Sequence, residues 1–322
     1  VTLDELYQPI RPELAEAEAL VAKLWNETLS LVNGPSSSPP KPGGKLLRPA
    51  LCLLAAGAVG SNGGLQRFVD LAAAFELLHI AALTHDDIVD RANLRRGTAS
   101  LNAMSNDHTA VLSGDYLVAR AASLLVRLNS IELLANTFDA VRRMTEGELR
   151  SFNKSSNLYT QEDCLKLAEQ KTATYFAATC TGPTYFIQAD CRDTLHQYGL
   201  SLGIAFQLID DVLDLAQDQD TLGKPSCGDI VEGKQTLPIL YMREGLPADE
   251  ADRLEGMLGR PLTDEERCWT AEALERSGAR QRTEKLARSY ADAARAALQP
   301  LPASPFKESM LGLAEFVLVR GF

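Results

Sequence analysis

An all-α bundle of ten or more helices, built as a single domain over residues 1–322, is the architecture this sequence predicts. Three observations predict it. Apolar residues recur at helical spacing through most of the chain, no sustained β-branched alternation appears, and no repeat or linker separates regions of different composition. Period 3.6 without period 2 is what helices packed on helices leave in a sequence.

Taken in order, Leu3–Val32 carries apolar residues at helical spacing with interleaved Glu and Lys. The Pro/Ser/Gly-rich stretch 33–44 breaks that pattern and reads as a flexible surface loop. A helix from about Lys45 to Val59 follows, closed by the Gly-rich turn Gly60–Gly64, and then a long apolar stretch from Leu65 to Asp90. Arg91–Asp107 is polar and loop-like. His108–Leu128 and Glu132–Phe152 are helical in pattern. Thr160 with Asp163 forms a capping signal for a helix through Cys180, which Gly182-Pro183 stops. Thr194–Gln217 is the next helix, Asp218–Lys234 a polar loop, and Thr236–Phe322 a set of amphipathic helices separated by Pro and Gly.

Composition narrows the function. A formal charge of −11 with no Lys/Arg run argues against nucleic acid as a partner. The six cysteines are scattered without metal-ligand spacing and read as reduced thiols of a cytoplasmic protein. No secretory signal is visible, and the longest uninterrupted apolar run, around Leu51–Val59, is too short to span a bilayer.

The sharpest feature is a pair of near-identical clusters, Asp86-Asp87-Ile88-Val89-Asp90 and Asp210-Asp211-Val212-Leu213-Asp214, each ending an apolar helix. Positions i and i+4 share a helical face, so Asp86 stands with Asp90 and Asp210 with Asp214, while Gln207 joins the second face. Three carboxylates within five residues repel one another, and the helix C-terminus is electrostatically the wrong end for them. Divalent cations resolve that cost, and Mg²⁺ takes one or two carboxylates together with substrate phosphates. A phosphorylated ligand calls for basic groups. Lys45, Arg48, Arg95, Arg96, Lys171, Lys224 and Lys234 lie in short groups near or between the clusters.

These residues resemble the trans-type prenyl diphosphate synthases, or polyprenyl synthetases. The likeness runs in order from Gly44-Lys45 and Arg48-Pro49, through the first DDxxD with Leu94-Arg95-Arg96-Gly97, to Gly114-Asp115-Tyr116-Leu117. It continues through Glu146-Gly147-Glu148, Lys171-Thr172-Ala173, Phe206-Gln207 and the second DDxxD, and closes with Gly223-Lys224, Asp229 and Glu232-Gly233-Lys234 before Thr236-Leu237-Pro238. The resemblance implies the isoprenoid synthase type I fold with a central active-site cavity. It also implies head-to-tail condensation of isopentenyl diphosphate with an allylic diphosphate (geranyl, farnesyl or geranylgeranyl), three Mg²⁺ ions, and a homodimer.

It implies roles residue by residue. Asp86, Asp90 and Asp210 ligate Mg²⁺, with Asp87, Asp211 and Asp214 one step behind them. Arg95, Lys171, Thr172, Gln207, Lys224 and Lys234 serve the allylic diphosphate, Thr172 and Gln207 offering oxygens toward the carbocation. Lys45, Arg48, His79 and Arg96 serve isopentenyl diphosphate. Ala81 and Ala82, with Leu78 a turn above, form the floor that limits chain length. Two alanines there leave the channel open, so the expected product is longer than farnesyl diphosphate, with medium or long chains favoured over geranylgeranyl. One departure is that many relatives carry Gln just after Glu-Gly-Glu, where this chain has Arg150-Ser151.

Other readings of the same clusters are a class I terpene cyclase, a squalene- or phytoene-type synthase, and a non-catalytic subunit of a heteromeric synthase. Two intact DDxxD motifs weigh against all of these. An HD-type phosphohydrolase built on His85-Asp86 needs further His ligands, and His79, His108 and His196 do not stand in that context.

Overall fold

The computed structural model describes residues 2–33, 44–60, 64–92, 94–95, 98–152, 159–187, 190–216 and 226–319. The expected loop at 33–44 falls almost wholly outside that set, as do Arg96 and Lys224. The described chain is helical nearly throughout, as the periodicity predicts. It forms two compact units, one of Val1–Asp139, Ala178–His196 and Ala297–Leu313, the other of Ala140–Ala177, Gln197–Ala296 and Ala314–Phe322. Boundaries such as Asp139/Ala140 and Ala177/Ala178 fall inside helices, which is why no linker marks them in the sequence.

The first unit opens with α1 (Leu3–Leu6), a 3₁₀ turn (Gln8–Ile10) and α2 (Arg11–Asn33). The sequence pattern predicts one helix here. Pro9 divides it, because proline is tolerated only in a first turn where its missing N–H is not needed. Helix α3 (Leu47–Ala58) begins two residues later than expected, since Leu46 is left-handed at φ 47°. Helix α4 (Val69–Val89) is buried on every side from Leu71 to Leu78, which explains an apolar run with no polar face.

The segment expected to be an irregular loop contains a two-residue antiparallel ladder, β1 (Leu94–Arg95) with β2 (Thr98–Ala99), and the short α5 (Leu101–Met104). Two-residue strands offer no alternation to read. Helix α6 (Asp107–Arg127) is capped by Asn106, whose side chain accepts the Thr109 N–H at 2.9 Å. It runs antiparallel to α4. Arg127 meets Asp70 at 3.0 Å at one end, and His85 meets the Val111 carbonyl at 3.2 Å at the other.

The expectation of no membrane-spanning segment has only weak support from helix length and composition, a test that buried core helices also pass. Gln66–Val89 and Asp107–Arg127 are both long and apolar enough by length and composition, because isolated His and Glu residues break the apolar run without lowering its average much. The α4 stretch is mostly buried inside its unit, whereas more than half of the α6 stretch is not.

The second unit takes the C-terminal half of α7 (Ile131–Phe152), α8 (Gln161–Ala168), the first half of α9 (Thr174–Thr181) and most of α10 (Arg192–Ala216). After these come α11 (Gly228–Val231), α12 (Leu237–Gly245), α13 (Ala248–Glu255), α14 (Asp264–Arg276), α15 (Ala279–Ala297) and the end of α16 (Pro305–Val319). Helix α11 lies where the sequence predicts only a polar loop. Between α8 and α9 the expected single helix widens into a π-helical turn, Glu169–Ala173. Such turns insert one residue and re-aim the side chains they carry, often at functional sites. Two glycines make room for it. A Cβ at Gly203 would lie 2.4 Å from Ala173 Cα, and one at Gly147 would lie 2.8 Å from Gln170 Cβ.

Candidate active site

Each aspartate cluster is built by its own unit. In the first, α4 ends at the cluster. Asp90 is the C-cap, and Arg91 follows at φ 52°. Arg91 N–H donates to the Ile88 carbonyl at 3.2 Å and Ala92 N–H to the Asp87 carbonyl at 2.8 Å, the paired bonds of a Schellman stop. Glycine usually occupies that left-handed position, and an L-residue there costs about 1–2 kcal/mol. The strain sits at the candidate metal site. The chain beyond is tied back, since Ser100 Oγ and Asn102 Nδ2 donate to the Ala92 carbonyl at 2.6 and 3.2 Å.

Asp86 and Asp90 are half-buried, but Asp87 is buried. Arg95 Nε donates to Asp87 Oδ1 at 2.6 Å. Burial still pushes the Asp87 carboxyl above its ordinary value, with the Arg95 charge and hydrogen bond opposing it and Asp90 adding to it. Arg95, expected at the allylic diphosphate, thus rests on a carboxylate of the cluster. On the same unit Lys45 is exposed, and Arg48 and His79 are half-buried. Of the expected chain-length residues, Leu78 and Ala81 are buried and Ala82 is half-buried. His85 packs on α6 where Gly114 leaves space for its ring, and lies 3.6 Å from Asp115.

In the second unit an open cavity is lined by Glu148, Ser151, Cys164, Leu167, Ala168, Lys171, Gln207, Asp211, Asp229, Lys234, Gln235 and Thr236. The π turn carries Lys171 and Thr172. Thr172 Oγ1 donates to Gln207 Oε1 at 2.5 Å, and Gln207 Nε2 donates to Asp211 Oδ1 at 2.7 Å. The sequence-predicted residues Lys171, Thr172, Gln207, Asp211 and Lys234 therefore meet at one wall.

Asp210 is exposed, whereas Asp211 and Asp214 are buried. The Asp211 carboxyl is pushed up to about 7, first by burial and then by Asp210, against the Gln207 hydrogen bond. Asp229 is raised well above its ordinary value by burial and by the charges of Asp214 and Asp211. Asp214 is committed elsewhere. Its Oδ2 accepts the Asp229 N–H at 3.0 Å and its carbonyl accepts the Cys227 N–H at 2.8 Å, so it holds the returning chain.

Sequence reasoning gave no role to Glu148 or Asp229, although both lie in segments that carry the resemblance. Glu148 joins the two cavity lysines, Lys171 at 3.7 Å and Lys234 at 3.4 Å. Lys234 also pairs with Glu232. Burial works to raise the Glu148 carboxyl, but the two ammonium groups outweigh it and leave it below its ordinary value. At the departure from the family pattern, the Ser151 hydroxyl donates to the Glu148 carbonyl at 2.7 Å, and Arg150 Nη1 reaches Gln170 Oε1 at 3.4 Å. The Cys164 thiol on the cavity wall is pushed up to about 12 by burial and by Asp211, so it is no nucleophile at neutral pH.

The donor sets suit a divalent cation. Asp87 in the first unit, and Asp211 and Asp229 in the second, are held above their ordinary values by burial and by neighbouring carboxylates, a state that a cation relieves. Among the described residues no three His, Cys, Asp or Glu side chains form a ready-made cage.

A polyprenyl synthetase family model matches residues 30–275. Octaprenyl diphosphate synthase of Escherichia coli (strain K12) is 35% identical, over 99% of each chain. The all-trans-nonaprenyl-diphosphate synthase (geranyl-diphosphate specific) of Rhodobacter capsulatus is 33% identical, over 98% of this chain and 97% of its own. Among solved structures, polyprenyl synthase from Caulobacter crescentus CB15, complexed with calcium and isoprenyl diphosphate, matches at a TM-score of 0.91. It is 35% identical, over 99% of this chain and 98% of that one.

Proposed function

From the premise that this chain belongs to the polyprenyl synthetase family, we propose that it extends an allylic diphosphate with isopentenyl diphosphate to an all-trans product longer than farnesyl diphosphate. It is a trans-prenyltransferase of the isoprenoid synthase fold, and its activity depends on a divalent metal. The long-chain synthases among its relatives support the product length. The finer reading is three Mg²⁺ ions, with Asp86 and Asp90 ligating in the first unit and Asp210 in the second, and one catalytic domain working in the cytoplasm.

The observation that carries this reading is the second-unit cavity, where Lys171 and Lys234 flank Glu148 beside the acidic wall of Asp211 and Asp229. When bound, Mg²⁺ neutralises charge on the diphosphate. Lys171 and Lys234 add fixed positive charge where negative charge grows as the allylic C–O bond ionises. Thr172 and Gln207, the latter anchored by its amide N–H on Asp211, hold neutral hydroxyl and amide oxygens in fixed positions that favour a cation without attacking it. The π electrons of isopentenyl diphosphate then form the new C–C bond and a proton leaves to the released diphosphate. No side-chain nucleophile is required.

Incubation with labelled isopentenyl diphosphate, Mg²⁺ and primers of increasing length is expected to give elongation. No elongation with any primer sinks the proposal. Ala81→Phe or Ala82→Phe is expected to shorten the product, and an unchanged chain-length profile removes these residues from the floor. A homodimer through the outer face of α6, where Leu112 and Val126 are exposed, is the reading for that apolar surface. Leu112→Glu is expected to yield monomer in sedimentation.

A further inference from the structure

The first-unit segment that carries Lys45 is held by a residue outside the matched family region. Tyr7 Oη donates to the Lys45 carbonyl at 2.8 Å, across 38 positions of sequence. The family model begins at residue 30, so nothing in it assigns Tyr7 a role. We infer that Tyr7 is a positioning residue for isopentenyl diphosphate, fixing the backbone from which the Lys45 side chain and the start of α3 with Arg48 reach that substrate.

The inference rests on the assignment of Lys45 to isopentenyl diphosphate, and three local facts support the Tyr7 step. Leu46 is left-handed, φ 47° and ψ 36°, which costs a non-glycine residue about 1–2 kcal/mol, so the turn needs an outside restraint. Helix α3 has no side-chain cap of its own, because its N-cap is that same leucine. The Tyr7 hydrogen bond falls on the residue immediately before the turn. It supplies from a distance what the local sequence lacks.

Tyr7 is suited to the task. It is 8% exposed and is followed by the 3₁₀ turn that buries Ile10, while Leu6 before it is also buried. Its N–H donates to the Leu3 carbonyl at 2.9 Å. Burial, and then the carboxylate of Glu76 on α4, raise the phenol well above its ordinary value. The hydroxyl therefore stays a donor across the working pH range. Lysine gives up much rotamer freedom on gripping a phosphate. A backbone fixed beforehand spares the binding step the further cost of ordering the turn.

The test is steady-state kinetics with each substrate varied separately for Tyr7→Phe, beside Lys45→Ala. Tyr7→Phe is expected to raise KM for isopentenyl diphosphate about fivefold, in line with the loss of one hydrogen bond. KM for the allylic diphosphate stays unchanged, and the melting temperature holds within a few degrees. A merely structural tyrosine would move both KM values together, and that result overturns the inference. If Lys45→Ala raises KM for isopentenyl diphosphate and Tyr7→Phe does not, the positioning role fails while the site assignment stands. If Lys45→Ala leaves it unchanged, the site assignment itself fails and takes the inference with it.

Discussion

The two DDxxD clusters are nearly the same word in the sequence, yet their units give them different surroundings. In both, the second aspartate is buried, Asp87 in one and Asp211 in the other. Asp87 is met by the Arg95 guanidinium, whereas Asp211 is met by the neutral Gln207 amide. A cation offsets the cost of burying a carboxylate far better than a neutral donor does. Burial raises both, and Asp211 reaches about 7. The last aspartates diverge as well. Asp90 is a half-buried helix cap, while Asp214 is buried and holds the backbone of the chain returning at Asp229. Repetition of a motif repeats its spacing, not its environment.

The largest effect that tests this contrast is on the first aspartates, to which we assign the same metal-holding role in both units. Asp86→Asn and Asp210→Asn are each expected to lower kcat by roughly a hundred- to a thousandfold, the usual cost of removing one group that stabilises developing charge. Incorporation of labelled isopentenyl diphosphate measures it. Near-normal turnover in either variant removes that residue from the metal site.

A smaller effect should separate the last aspartates. Asp214→Ala leaves the Asp229 N–H without its acceptor and is expected to cost about 1–3 kcal/mol of stability, seen as a lowered denaturation midpoint. Asp90→Ala is expected to cost less stability than this. Equal losses would show that the two positions do the same structural work.

The smallest effect is electrostatic and belongs to Glu148. Its carboxyl lies lower folded than unfolded, so the unfolded chain binds the proton more readily. The stabilisation is therefore present above the ordinary glutamate range and lost as pH falls through the lowered folded value. Glu148 and Lys171 are partly open to solvent, which reduces the gain. Melting curves of wild type and Glu148→Gln between neutral pH and pH 3 should converge on the acid side. A constant gap would assign the effect to packing.

Much of this is legible in the sequence. The apolar periodicity gave the helices, and most boundaries fell within a few residues. The misses have local causes. Pro9 split the first helix, and Leu46 in a left-handed turn delayed α3. The ladder at Leu94–Ala99 was too short to show a period. The π turn at Glu169–Ala173 was invisible because a one-residue insertion leaves the apolar pattern on either side intact.

The sequence by itself determined the all-α class, the two clusters, the family and hence the reaction. Each is written in residue type and in spacing along one stretch of chain. Only the tertiary structure decided which carboxylates are buried, that Asp214 serves the backbone, that Glu148 joins Lys171 to Lys234, and that Tyr7 holds Lys45. The reason is physical. Periodicity records which face of a helix is buried, but a charge is tuned by partners that arrive from distant parts of the chain.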